Sequence, residues 1–180
     1  MEAWILFSIL TISGNFIFQH TFGAPENSFT RRNSTVQTAK CDVKTYVDDR
    51  DPNGTNLRVA PDKNSAVLRR IKNDDVIVTV SGFSDGWFQI SAAENTSGEK
   101  IFKGRGWIHS SLLGMQAARA DARLYAQPKN GSRILMKLKS DESRIKLIAC
   151  QNDWVKIETN GKIGWLSPGG QCGNPVTTCS

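Results

Sequence analysis

From Leu57 to Ile90 the chain reads LRVAPDKNSAVLRRIKNDDVIVTVSGFSDGWFQI, and from Leu124 to Ile157 it reads LYAQPKNGSRILMKLKSDESRIKLIACQNDWVKI. The two stretches align without a gap at an offset of 67 residues. Leu57 meets Leu124, Pro61 meets Pro128, Ile71 meets Leu138, Trp87 meets Trp154 and Ile90 meets Ile157. Further on the offset falls to 58, where Gly106-Trp107-Ile108 meets Gly164-Trp165-Leu166, so the first copy carries nine extra residues within Ser91 to Arg105. A unit of ~60 residues repeated twice implies two small folded units rather than one large catalytic core. Units of that size sit near the lower limit for folding alone and commonly need a neighbour or a cross-link.

Turn signals divide both copies into short apolar runs. In the first, Asp51-Pro52-Asn53-Gly54 precedes Asn56-Leu57-Arg58-Val59, and the β-branched run Val76 to Val80 reads as a strand. Asp85-Gly86 reads as a hairpin turn into Trp87-Phe88-Gln89-Ile90, and Gly106-Trp107-Ile108 as a closing strand. The second copy repeats the order through Ile145 to Ala149, Trp154 to Ile157, the turn Asn160-Gly161, and Ile163 to Leu166. Only Gly114 to Asp121, between the copies, carries a helical composition. Many short strands with a turn every eight to ten residues predict an all-β chain of two tandem small barrels.

The ends of the chain carry different signals. The apolar run Ala3 to Ile12 has the length of a signal peptide and is too short to span a bilayer comfortably. Residues 1–24 are expected to be a signal peptide, with an uncleaved N-terminal anchor as the alternative, and residues 25–40 a flexible tether. The first unit is expected over residues 41–115 and the second, with a Cys-rich tail, over 119–180. Export places Cys41, Cys150, Cys172 and Cys179 in an oxidising compartment. Four cysteines allow three pairings; Cys150–Cys172 and Cys41–Cys179 are the expected ones. Without residues 1–24 the chain keeps 23 basic and 16 acidic residues, a formal charge of +7. These bases are scattered with no block of five, as on an ordinary solvated surface.

The quoted residues resemble the bacterial SH3 (SH3b) family. They do so through Asn56-Leu57-Arg58, the Pro61 turn, Gly86-Trp87-Phe88-Gln89-Ile90 and the closing Gly106-Trp107-Ile108. The second copy departs at its start, with Tyr125 in place of Arg58. The resemblance implies two tandem SH3-like β-barrels, each with a ligand groove. Known members bind peptidoglycan stem or cross-bridge peptides, and others occur in exported or periplasmic proteins. It also implies a bacterial chain, in which the sequons at Asn33, Asn53, Asn95 and Asn130 are turn residues.

Enzyme classes lack their residues. After export His109 is the one histidine left, no GxSxG is present, and the Asp residues at positions 48, 49, 51, 74 and 75 lie in turn-like segments. No cofactor and no metal site is expected, since no CxxC occurs. Nucleic acid is not an expected partner: Lys103-Gly104-Arg105-Gly106-Trp107 offers bases beside an aromatic, but Trp107 repeats as Trp165 and so reads as core. Arg58, Phe83, Trp87, Arg105 and Tyr125 are the candidate ligand-binding residues, with peptide carboxylates meeting Arg58 or Arg105. The expected function is non-catalytic recognition of a cell-envelope component, peptidoglycan peptide or an envelope protein. An inhibitor or accessory subunit docking on one specific partner is the alternative. No stable membrane span is expected once the signal is removed, and the sequence leaves the oligomeric state open.

Overall fold

In a strand, side chains alternate between two faces, so an apolar residue at every second position buries one face and wets the other. Val76 to Ser84 shows this directly, with Val76, Val78 and Val80 buried and the residues between them half-buried. The computed structural model describes residues 38–72, 75–118, 122–139 and 145–177. The expected signal peptide and all but the last residues of the expected tether fall outside them.

The first copy holds β1 (Ala39–Val47), β2 (Thr55–Arg58), β3 (Val67–Ile71), β4 (Val76–Ser84), β5 (Trp87–Asn95) and β6 (Lys100–His109). A 3-10 turn at Ser110–Leu112 leads into β7 (Leu113–Gly114) and β8 (Gln116–Ala117). The second copy holds β9 (Arg123–Tyr125), β10 (Ile134–Lys137), β11 (Lys146–Gln151), β12 (Trp154–Thr159) and β13 (Lys162–Leu166). A further 3-10 turn at Pro168–Gly170 precedes β14 (Gln171–Cys172). The chain is all-β, with curled antiparallel sheets of SH3-like type.

The repeat in sequence is a repeat in topology. The first sheet runs β3-β2-β6-β5-β4-β1-β7 and the second β10-β9-β13-β12-β11, so five strands of each occur in the same order. Matching positions fill the same place in each core: Leu57 and Leu124, Phe88 and Val155, Ile90 and Ile157, Ile108 and Leu166 are all 0% exposed. Each such side chain contributes about 1.5–3 kcal/mol by leaving water. The closing Gly-Trp motif has a packing cause. A Cβ on Gly106 would lie 2.5 Å from Leu57 Cγ, and one on Gly164 2.6 Å from Leu124 Cγ. The turns match too: Asp85 and Asn152 occupy the same place and both take a positive φ, at 47° and 54°. Asn and Asp are the non-glycine residues that tolerate this region best.

Several connections among the described residues tie the copies together. A disulfide joins Cys41 of β1 to Cys150 of β11, with Cα atoms 5.7 Å apart. Beside it, Asp42 N–H donates to the Asn152 carbonyl (2.6 Å) and Asn152 N–H to the Lys40 carbonyl (2.7 Å). Finally, β8 pairs antiparallel with β14. The buried apolar residues of both copies form one continuous cluster, and the described residues lie within one compact unit.

Two expectations are corrected. The pairings Cys150–Cys172 and Cys41–Cys179 give way to Cys41–Cys150, because β1 crosses from its own sheet onto β11 and brings Cys41 within bonding reach. Cys172 is also disulfide-bonded, and Cys179 lies outside the described residues. The segment after Gly114 is strand rather than helix through Ala117, since its backbone groups are used by β14. Residues 119–121 are outside the described set. Strand β1 begins at Ala39, inside the span expected to be tether.

Candidate binding face

Cross-strand partners project on the same side of a sheet, so register alone assembles a face. Gln89 pairs with Trp107, and Trp107 with Arg58, across β5, β6 and β2. Two residues along, Trp87 pairs with His109. Arg105 is exposed on β6, where the pairing with β5 is irregular between Gly106 and Lys103. Register thus sets Arg58, Trp107 and Gln89 in one row and Trp87 with His109 in the next.

The second copy builds the same face from different chemistry. Tyr125 pairs with Trp165, and Trp165 with Lys156, across β9, β13 and β12. Tyr125 packs edge-on against Trp154 with ring centroids 5.5 Å apart. Lys156 Nζ stands 6.0 Å from the centre of the Trp165 ring, at the outer limit of a cation–π contact. The exposed tryptophan changes place between copies: Trp87 and Trp165 are half-buried, while their counterparts Trp154 and Trp107 are buried. A buried Trp107 cannot stack a nucleobase, which removes the aromatic half of the Lys103–Trp107 segment.

Local contacts fix several of these side chains. Arg58 Nη1 donates to the Ser65 carbonyl at 2.7 Å, holding the loop that follows β2, with one of its five N–H donors. His109 ends β6 and caps the next turn, its Nδ1 accepting from Ser111 N–H (3.3 Å) and lying 2.8 Å from Ser111 Oγ. Its ring meets Trp87 edge-on at 5.1 Å. Phe83 stands apart from the outer face: it pairs with Phe88, ring centroids 5.2 Å apart, and packs against the core. Cys41, Cys150 and Cys172 are all disulfide-bonded, so among the described residues no thiolate faces His109.

Reasoning from sequence named Trp87 and Tyr125, weighed His109 only as the lone histidine, read Trp165 with Trp107 as core, and did not single out Lys156.

Two barrels of one topology define a tandem SH3-like protein. The family described as bacterial SH3 domain matches residues 53–114 and 120–170, well over half of the chain, and the chain belongs to that family. Among solved structures, NlpC2 from Trichomonas vaginalis is 15% identical, with a TM-score of 0.32 over 77% of this chain and 49% of that one. NlpC1 from the same organism is 14% identical, with a TM-score of 0.32 over 77% of this chain and 46% of that one. The chain thus spans about half the length of these structures. No curated protein matches it.

Proposed function

We propose that the protein is a non-catalytic, exported binding protein that recognises a cell-envelope component, peptidoglycan peptide or an envelope protein, through the outer faces of its two barrels. The observation that carries this reading is the shared register. In each copy a strip of three strands sets a tryptophan next to a cationic side chain. In the first Trp107 is next to Arg58, with Trp87 and His109 in the adjoining row; in the second Trp165 is next to Lys156, with Tyr125 on its other side. Rings of this kind offer apolar area with a polar edge, and the cations offer charge-assisted hydrogen bonds to peptide carboxylates. The disulfides fit an oxidising compartment outside the cytoplasm.

Co-sedimentation of the full exported protein with purified peptidoglycan, at low and raised salt, tests this. Retention that persists at raised salt supports the reading; retention lost with salt assigns it to the net positive charge alone. No retention removes peptidoglycan and leaves an envelope protein as the partner to find.

Docking on one specific partner is the second reading. It is favoured by the exposed Val59, Val67 and Leu68 around β2 and β3 of the first copy, a feature the second shares in part through exposed Ile134 at the place of Val67.

A further inference from the structure

The nine extra residues of the first copy lengthen β5 and β6 into a hairpin with a set tip. Asn95 N–H donates to the Glu99 carbonyl (3.0 Å), Glu99 N–H to Asn95 Oδ1 (2.8 Å), and Asn95 Nδ2 to Glu99 Oε2 (3.0 Å). Ser97 Oγ donates to the same Asn95 Oδ1 at 2.7 Å. In the second copy β12 and β13 meet through the short turn at Asn160-Gly161, so this tip has no counterpart there.

Between the tip and β3 lies a groove of about 360 Å³, lined on one side by Arg69, Arg70 and Lys72. Val76 and Ile101 add apolar lining, and Asn95 and Glu99 of the hairpin tip line it as well. Its volume is at the lower end for ligand pockets. Among the described residues the lining holds three cations and one carboxylate; that carboxylate is hydrogen-bonded to Asn95, and Arg70 also acts on the carboxyl of Asp51 outside the groove. Arg70 Nε donates to Asn56 Oδ1 at 3.2 Å, and neither Arg69 nor Lys72 has an ion-pair partner among the described residues. The exposed Asp75 does not line the groove.

The strand beside it is also unoccupied on one side. β3 ends its sheet, and among the described residues no strand pairs with its outer edge. Val67, Leu68, Arg69 and Arg70 along it are all exposed. A free edge offers backbone donors and acceptors to an extended peptide, while pockets alongside read its side chains.

The geometry points to a second binding site, in the first copy only: this groove and the β3 edge take an extended acidic peptide segment of a protein partner. The peptide lies along β3, its carboxylates meet Arg69, Arg70 and Lys72, and an apolar side chain rests on Val76 and Ile101. Cation and apolar lining together favour a peptide over a polyanion, which would use the charges alone. The site is separate from the outer face, and its failure leaves the proposed function standing.

Fluorescence anisotropy of the labelled peptide Ac-Glu-Val-Glu-Val-Glu-Val, titrated with the full protein, is the test. The expected result is saturable binding, at least tenfold weaker in Arg69→Gln/Lys72→Gln and in Ile101→Asp, with Lys129→Gln unchanged and the Lys-Val analogue unbound. Each variant's melting transition reports its folding, and every changed side chain is at least partly exposed. Three results would overturn the proposal: no binding, binding unaffected by both variants, or displacement by inorganic polyphosphate at equal charge concentration. Any of these would leave Arg69 and Arg70 as guards that keep an open edge from aggregating.

Discussion

Cys41 and Cys150 stand 109 positions apart in sequence and are bonded, tying β1 of the first sheet to β11 of the second. The bond lies beside the Asp42–Asn152 backbone hydrogen bonds, so covalent and hydrogen-bonded connections coincide at one seam. Opening it frees a loop that spans most of both barrels.

In the chain-entropy treatment a closed loop of ~100 residues contributes about 4–5 kcal/mol. Replacing both cysteines in Cys41→Ala/Cys150→Ala is expected to lower stability by about 3–5 kcal/mol. Urea unfolding would show it as a lowered midpoint. A loss below about 1 kcal/mol would mean that β8–β14 and the shared core hold the seam unaided.

Gly106 and Gly164 predict a matched pair of effects. Adding a methyl group at either drives it into a core leucine, Leu57 or Leu124, and Gly106→Ala and Gly164→Ala are each expected to cost about 1–3 kcal/mol. Because one leucine causes the clash, Gly106→Ala should cost far less in a Leu57→Ala background. A double-mutant cycle measures that coupling, and simple additivity would contradict it.

Acid tolerance follows from Asp51. Its carboxyl is held below the ordinary value by hydrogen bonds from the Asn53 backbone (2.9 Å) and the Asn53 side chain (3.0 Å), and more weakly by Arg70. A folded carboxyl more acidic than the unfolded one stabilises the fold above about pH 4 and loses that contribution as pH falls through the folded value. The melting temperature should therefore fall less steeply below about pH 4 in Asp51→Asn than in the native protein.

Tyr46 gives the opposite limb. Burial, and then the charge of Asp48, push its phenol above the ordinary value. The neutral ring is favoured in the fold, so this contribution is full below about pH 10 and is lost as pH rises through the folded value. Tyr46→Phe should flatten the alkaline limb of the melting curve, with ultraviolet titration of the phenol as the direct readout.

The core was legible because its apolar positions recur at one offset: Leu57 with Leu124 and Ile90 with Ile157 needed only the repeat. Turns at Asp85 and Asn152 were legible from residue type. Strand β1 was not read, although Cys41, Val43, Thr45 and Val47 alternate with Asp42, Lys44 and Tyr46, because no second copy of it exists to confirm the pattern. The Cys41–Cys150 pairing depends on how the copies pack, which no local pattern records. Gly114 to Ala117 reads as helix by propensity, and pairing with β14 overrides it. At the candidate face the sequence offered residue types near turns but not register: Phe83 packs with Phe88 against the core because a register irregularity between Val80 and Gly82 intervenes in β4.

The most direct test of recognition through the outer faces is retention on purified peptidoglycan at raised salt, compared among the native protein, Arg58→Ala, Trp87→Ala, Tyr125→Ala and Trp165→Ala. The account predicts that the native protein is retained and that each substitution weakens retention several-fold while the melting temperature stays within a few degrees. Equal retention of all five proteins, or none by the native protein, would contradict it.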